Sequence, residues 1–194
     1  MQAKEYDYYT PEKYLELEIQ SQERNEYING EIIPMTVGML NHNLIIGNIS
    51  AALNFALKRQ PYWVFVTDQR LWIPQRRIYT YPDIMVVQGQ IELQTGRKDT
   101  ITNPLVIVEV LSKSTQSYDQ GEKFKFYRTI MGFQEYLLID QYSIHIEQYY
   151  KIESHQWIFS ELEGEDTLLK LSTIPFEISL ADIYDKVSFE SELT

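Results

Sequence analysis

The chain has 194 residues, of which 44% are hydrophobic and 13% aromatic, enough apolar side chain for one sizeable core in a single domain spanning residues 1–194. Its 17 basic and 28 acidic side chains give a formal net charge of -11, which disfavours nonspecific coating of phosphate backbones. A nuclease is not excluded, because clustered carboxylates bind a hard divalent cation that neutralises the local charge.

The absence of cysteine limits the kinds of site that the chain can form. It excludes a disulfide framework, a zinc–thiolate site and a cysteine nucleophile, and it fits a reducing cytosol. The first nine residues contain no apolar export segment, and no run approaches the roughly 20 apolar residues of a membrane helix. We therefore expect a cytoplasmic protein that has no membrane partner.

Three signals divide the N-terminal part of the chain. Thr10 and Pro11 form an N-cap followed by a proline at the first helical position. Asn29-Gly30 between alternating apolar residues is a strong hairpin signal, and apolar residues at helical spacing follow. The predicted elements are a helix from Pro11 to about Gln22, a hairpin over Asn25–Met35, and a helix from Asn41 to about Lys58.

The remaining sequence is rich in strand patterns, with one helical stretch and one polar connection. In chain order these are strands over Trp63–Ile73, Asp83–Val87 and Leu105–Leu111, a polar connection over Gln88–Asn103, a helix over Tyr118–Ile130 ended by Gly132, a strand over Gln134–Ile139, and antiparallel strands over Ile144–Tyr150, Trp157–Leu162 and Leu168–Leu171 that close the sheet. This order predicts an α/β (α+β) fold, a mixed central sheet flanked by helices, with an N-terminal helix and hairpin.

Two acids stand out against apolar surroundings. Glu109 interrupts the run from Leu105 to Leu111, where a buried charge must be paired or must coordinate a metal. Asp83 follows a proline at the mouth of another apolar strand. Two acids arriving on two strands could chelate one Mg²⁺. The alternatives are a turn or cap role for Asp83 and a structural ion pair for Glu109.

The order and spacing of several short motifs are similar to those of a known family. They are Glu26-Tyr27-Ile28-Asn29-Gly30-Glu31, His42, Pro82-Asp83, Val108-Glu109-Val110-Leu111-Ser112, the spaced set Asp119, Lys123 and Tyr127, and Gly132-Phe133-Gln134-Glu135-Tyr136-Leu137-Leu138-Ile139-Asp140. Together they span about residues 10 to 185. The chain resembles the Uma-two family of restriction-endonuclease-like proteins.

The resemblance implies a PD-(D/E)XK nuclease core, in which Asp83 and Glu109 hold Mg²⁺ or Mn²⁺ and a lysine orients or helps deprotonate the attacking water. The pattern places that lysine at position 111, where this chain has leucine. Lys123 is the candidate for the missing amine, because its helix packs back on the sheet and its long stem can deliver the ammonium to the carboxylates. The alternative is a solvated pair between Lys123 and Asp119.

Two further residues complete the candidate catalytic set. Glu26 adds a third carboxylate from the hairpin, although a hairpin glutamate beside a turn is usually solvated. His42 lies in the first turn of a helix, where contact with a phosphate or water is favoured electrostatically; a capping or surface role is the alternative.

The resulting hypothesis is a metal-dependent endonuclease that hydrolyses DNA, expected from the resemblance to be a homodimer, with the 15 tyrosines available for an interface. The competing hypothesis is a catalytically silent member of the fold that acts as a binding or assembly module, which Leu111 and the acidic balance favour. A third is an α/β domain of unrelated function.

Overall fold

The computed structural model describes residues 8–35 and 38–189. Most of the N-terminal segment on which the expectation about export rests therefore lies outside the described residues. The helices are α1 (Pro11–Gln20), α2 (Leu40–Ala56), α3, which joins Gln116–Tyr118, a π-helical turn over Asp119–Lys123 and Phe124–Tyr127, and α4 (Leu180–Ile183), with a 3-10 turn at Pro74–Arg76.

Strands make up most of the remaining structure. They are β1 (Asn25–Ile28), β2 (Glu31–Pro34), β3 (Tyr62–Val66), β4 (Arg70–Ile73), β5 (Ile78–Thr80), β6 (Ile84–Gln88), β7 (Thr100–Ile101), β8 (Val106–Leu111), β9 (Glu135–Asp140), β10 (His145–Glu153), β11 (Gln156–Glu163), β12 (Leu168–Lys170) and β13 (Glu177–Ser179). They form a five-stranded sheet in the order β2-β1-β5-β4-β7, a six-stranded sheet in the order β11-β10-β9-β8-β6-β3, and the pair β12-β13. Mixed sheets flanked by helices confirm the predicted α+β class.

The capping and turn residues predicted from the sequence form α1 and the hairpin. The Thr10 hydroxyl accepts a hydrogen bond from the Lys13 backbone N–H at 3.2 Å, and Pro11 begins α1. Asn29 and Gly30 have φ of 50° and 106°, the left-handed conformations that a tight hairpin turn requires. The hairpin and α1 then enclose a cluster of stacked tyrosine rings, Tyr14, Tyr27 and Tyr79, on the five-stranded sheet.

The six-stranded sheet is covered on both faces. On one face, Val106, Val108 and Val110 pack with apolar residues of α2 and of the C-terminal segment. On the other, Ile107 and Leu111 pack with residues of the five-stranded sheet and of the segment around α3. Because side chains alternate along a strand, Glu109 lies on this second face, toward α3.

Several element predictions are wrong. The strand predicted over Trp63–Ile73 is two strands in different sheets, β3 and β4, separated by a turn with Thr67 at positive φ. The connection Gln88–Asn103 contains β7, which pairs with β4. At the C-terminal end, Leu168–Leu171 does not close the main sheet; β12 pairs with β13 as a separate two-stranded sheet.

The tyrosines fill the interior more than the sequence analysis expected. Six of them, Tyr14, Tyr27, Tyr79, Tyr81, Tyr127 and Tyr136, are among the largest fully buried side chains. The tyrosine content therefore serves the core and gives no separate support for a dimer interface. In residues 8–35 and 38–189, no helix has both the length and the apolar character needed to cross a membrane.

Candidate functional site

Asp83 and Glu109 are cross-strand neighbours. The antiparallel register pairs Ile84 of β6 with Val108 of β8, so one further step brings Asp83 opposite Glu109. The Asp83 backbone N–H donates to Glu109 Oε2 at 3.4 Å, and Asp83 Oδ2 accepts from the Val110 N–H at 2.8 Å. Opposite residues of an antiparallel pair share a face, so the two carboxylates belong to one site.

Lys123 reaches this pair from α3. Its Nζ lies 2.9 Å from Glu109 Oε1, 3.3 Å from Asp119 Oδ1 and 3.8 Å from Glu26 Oε1. The lysine is only 7% exposed, so its pair with Asp119 exists but does not lie on a solvated face. The apolar Leu111, at the motif position for lysine, packs in the core on the same face as Glu109.

The π-helical turn over Asp119–Lys123 places these two residues. A π-turn contains one more residue than an α-helical turn and occurs mostly as a single turn, frequently at functional sites. Here it lies at the point where the helix passes Glu109: Lys123, at one end of the turn, contacts Glu109, and Asp119, at the other end, pairs with Lys123. One turn later, the Tyr127 hydroxyl donates to Glu109 Oε1 at 2.7 Å.

Burial dominates the protonation of Glu109. It raises the pKa of this carboxyl to about 8; Lys123 and Tyr127 oppose the rise, while the charges of Asp83 and Asp119 add to it. Burial alone would lower the pKa of Lys123, but the carboxylates around it, with Glu109 the largest contributor, raise that pKa well above the usual value. Lys123 therefore stays an ammonium, which can orient and stabilise charge but is a poor base.

His42 and Glu26 complete the constellation. His42 Nε2 lies 3.2 Å from Asp83 Oδ2; burial lowers the pKa of this imidazole, but the Asp83 hydrogen bond and charge outweigh burial and raise it. Glu26 comes from β1 of the other sheet and accepts a hydrogen bond from the Thr80 hydroxyl. It is 9% exposed, so the expectation that a hairpin glutamate is solvated is wrong for Glu26.

These side chains line a cleft of about 660 Å³. Four cleft residues have features that the sequence did not indicate. Among the described residues, the buried Tyr118 hydroxyl has no hydrogen-bond partner, and Asp119 Oδ1 lacks one although it is ion-paired. At the mouth, the Lys113 ammonium lies over the Tyr142 ring. No sequence pattern indicates an unpartnered hydroxyl, because its surroundings depend on how α3 packs.

The chemistry of the donors suits a hard cation. Carboxylate oxygens are the protein ligands of Mg²⁺ and Mn²⁺, and Mg²⁺ is commonly held by one or two carboxylates together with waters and substrate phosphate. Asp83 and Glu109 would supply two such carboxylates. Across the described part of the chain, no group of three or more His, Asp or Glu side chains is placed to hold a metal ion.

The fold, mixed sheets flanked by helices, is that of the restriction-endonuclease class. A family model described as "Uma2: Putative restriction endonuclease" matches residues 11–182. The chain belongs to the Uma2 family, as the sequence resemblance predicted.

Relatives are found both in sequence and in structure. The chain is 42% identical over 163 residues to "Uncharacterized protein sll1609" and 32% identical over 182 residues to "Uncharacterized protein slr1290", both from Synechocystis sp. (strain ATCC 27184 / PCC 6803 / Kazusa). These matches cover 84% and 93% of this chain, and 92% and 93% of the relatives. A crystal structure of "a putative nuclease belonging to DUF820 from Anabaena variabilis ATCC 29413" superposes with a TM-score of 0.75 at 20% identity, covering 92% of this chain and 99% of that one. At this identity the likeness shows a shared fold.

Proposed function

We propose that the protein is a Mg²⁺- or Mn²⁺-dependent endonuclease that hydrolyses phosphodiester bonds of DNA. The observation that carries the proposal is the Lys123 ammonium, 2.9 Å from Glu109 in a cleft where Asp83 stands opposite Glu109 on the next strand. A buried cation beside paired acids in a cleft is the arrangement expected of a reactive site rather than of a surface ion pair. Membership of a family described as restriction endonucleases supports the same reaction.

In this proposal, Asp83 and Glu109 hold the divalent cation. The bound cation supplies a nucleophile at neutral pH and neutralises charge on the phosphate. Lys123, fixed by Glu109 and Asp119, positions the attacking water and offers a positive charge to the phosphate oxygens. His42 holds Asp83 in place through its Nε2 contact, and Glu26 helps to fix Lys123 from the opposite sheet.

The second candidate is a catalytically silent binding or assembly module. It is favoured by Leu111 at the motif position, and by the way Lys123 and Tyr127 already satisfy Glu109 Oε1 without a cation. The proposed homodimer, a prediction from the family resemblance, is compatible with either candidate, and light scattering of the purified protein measures it.

Cleavage of supercoiled plasmid in Mn²⁺ tests the function. We expect wild type to nick the plasmid and Lys123→Ala to lose at least about a hundredfold in rate, since positioning and charge stabilisation both disappear. Lys125→Ala is the matched control because it removes a lysine from the same helix, exposed and outside the cleft.

Binding measurements separate catalysis from cation affinity. Calorimetry should detect Mn²⁺ binding to wild type and to Lys123→Ala but not to Asp83→Asn. Cation binding without nicking in wild type favours the silent module. Equal nicking by the two lysine variants contradicts the catalytic role of Lys123 but not the nuclease activity.

A further inference from the structure

The mouth of the cleft carries an aromatic–cation pair, Tyr142 and Lys113, that the proposed reaction does not use. We propose that this pair binds an unpaired nucleotide of a DNA strand, with the base stacked on the Tyr142 ring and a neighbouring phosphate on the Lys113 ammonium. The inference rests on the proposed function and specifies its substrate as single-stranded or locally unpaired DNA.

Parallel strands β8 and β9 bring the pair together. Leu111 lies opposite Asp140 in their register, and Lys113 and Tyr142 each follow two residues later. Lys113 Nζ lies 5.1 Å from the centroid of the Tyr142 ring, and the Lys113 backbone N–H donates to the Tyr142 hydroxyl at 3.4 Å. The two residues therefore form one unit beyond the carboxyl ends of the strands, the usual position for a ligand on a sheet with parallel strands.

The platform is rigid, and the ring remains accessible. The Tyr142 backbone N–H donates to Asp140 Oδ1 at 2.8 Å, and the buried Gln141 side chain donates to the Leu111 carbonyl at 2.7 Å. Tyr142 is nevertheless 39% exposed. A fixed, exposed ring can stack on a base with little loss of conformational entropy, and aromatic stacking accepts any base.

Apolar residues also line the cleft. They are Ile28, Ile33, Met35, Met39 and Val110, and Ile33 and Met39 are 39% and 45% exposed. A sugar–phosphate backbone alone would leave these apolar side chains without an apolar surface to contact. The face of a nucleobase suits them, and that face is available only when the base is out of the duplex stack.

Electrostatics argue in the same direction. Among the residues lining the cleft, the lysines and arginines are Lys113 and Lys123, and Lys123 is buried against carboxylates. Elsewhere Arg24 pairs with Asp68, and Arg70 with Asp99. The described residues that line the cleft therefore include no row of cations that could follow a duplex backbone. One cation beside one ring suits a single unpaired nucleotide.

Fluorescence anisotropy of a labelled oligodeoxynucleotide tests the proposal. Binding is measured in Ca²⁺, with a gel showing that the strand stays intact. We expect wild type to bind the single strand more tightly than a blunt duplex of the same sequence. Tyr142→Ala should weaken single-strand binding by roughly fivefold or more, while Tyr142→Phe retains the ring and most of the affinity. Lys113→Ala should reduce the slope of log affinity against log salt by about 0.7.

Phe55→Ala is the control for loss of an exposed aromatic ring, since Phe55 is 84% exposed and does not line the cleft. Equal affinity of wild type and Tyr142→Ala, duplex binding as tight as strand binding, or no strand binding by wild type overturns the inference. The proposed function is tested separately, and it fails when wild type nicks no DNA in Mn²⁺. If wild type and Tyr142→Ala cleave a duplex plasmid equally, only the present inference is overturned.

Discussion

Two buried glutamates on neighbouring strands, Glu109 and Glu135, differ in the groups that surround their carboxyls. Glu109 lies inside the apolar strand β8, whereas Glu135 is the first residue of β9; they are 3% and 0% exposed. Glu135 lies on the face of the sheet shared with Leu137, packed by α2 and the C-terminal segment, whereas Glu109 lies on the face toward α3. Burial alone would give both glutamates the same status.

Their hydrogen-bond donors distinguish them. Glu135 accepts from neutral donors only, namely the Gln148 amide, the backbone N–H groups of Ser172 and Thr173, and the Thr173 hydroxyl, at 2.6 to 3.1 Å. Glu109 instead receives the Lys123 ammonium and the Tyr127 hydroxyl, and it shares its surroundings with Asp83. A buried acid satisfied by backbone groups anchors a loop, whereas one that faces another acid in a cleft is suited to binding a cation.

Replacing each glutamate by glutamine should give the largest contrast. Glu109→Gln should reduce Mn²⁺-dependent nicking by at least about a hundredfold. Its free energy of unfolding should not fall at neutral pH, because the raised pKa means that ionised Glu109 is disfavoured in the folded protein. Glu135→Gln should lower the free energy of unfolding by about 3 kcal/mol, since an amide NH₂ then meets backbone donors.

Urea unfolding and plasmid nicking measure the two quantities on the same preparations. The comparison breaks down when Glu135→Gln loses activity without losing stability, or when Glu109→Gln loses stability without losing activity. Either result would show that donor type does not separate an anchoring acid from a reactive one.

The same two glutamates show how much of the site could be predicted from the sequence. The interruption of the β8 run drew attention to Glu109, and hydrophobic patterns located most of the strands along the chain. The role of Glu135 could not be predicted from the sequence, because its partners Ser172 and Thr173 are distant in sequence and meet it only through the β12-β13 pair. Leucine at position 111 indicated that the motif lysine is missing, and helical spacing indicated Lys123 as its replacement. The π-helical turn that directs Lys123 at Glu109 has no local sequence signature.

The second prediction concerns the proton on Glu109. Because burial raises the pKa of Glu109, a cation that binds its carboxylate should displace a proton. Calorimetric titration with Mn²⁺ in two buffers of different ionisation enthalpy should give different apparent heats. Glu109→Gln should abolish the difference; identical heats for wild type in both buffers contradict the raised pKa.

The same shift fixes the sign of one contribution to stability. Because the folded pKa of Glu109 lies above its ordinary value of 4.5, its contribution is fully present below about pH 4.5 and is lost as pH rises to about 8. Lys123, whose pKa is raised above 10.5, stays charged throughout this window. Wild type should therefore lose stability relative to Glu109→Gln between these pH values, as urea unfolding of both at several pH values measures.

The smallest expected effect concerns two phenols beside Glu109. The Tyr127 hydroxyl donates to Glu109 at 2.7 Å, whereas the buried Tyr118 hydroxyl has no hydrogen-bond partner among the described residues. Removing a partnered hydroxyl costs about 1 kcal/mol or more, while removing an unpartnered one relieves a desolvation penalty. Tyr127→Phe should therefore lower the free energy of unfolding by about 1 to 2 kcal/mol, and Tyr118→Phe should leave it unchanged or raise it by up to about 1 kcal/mol. Each variant keeps its ring, so packing is matched and urea unfolding reads the hydroxyl alone. A clear loss of stability in Tyr118→Phe would mean that its hydroxyl has a partner in solution, such as an ordered water between Tyr118 and Asp119 Oδ1, whose buried oxygen also lacks a hydrogen bond.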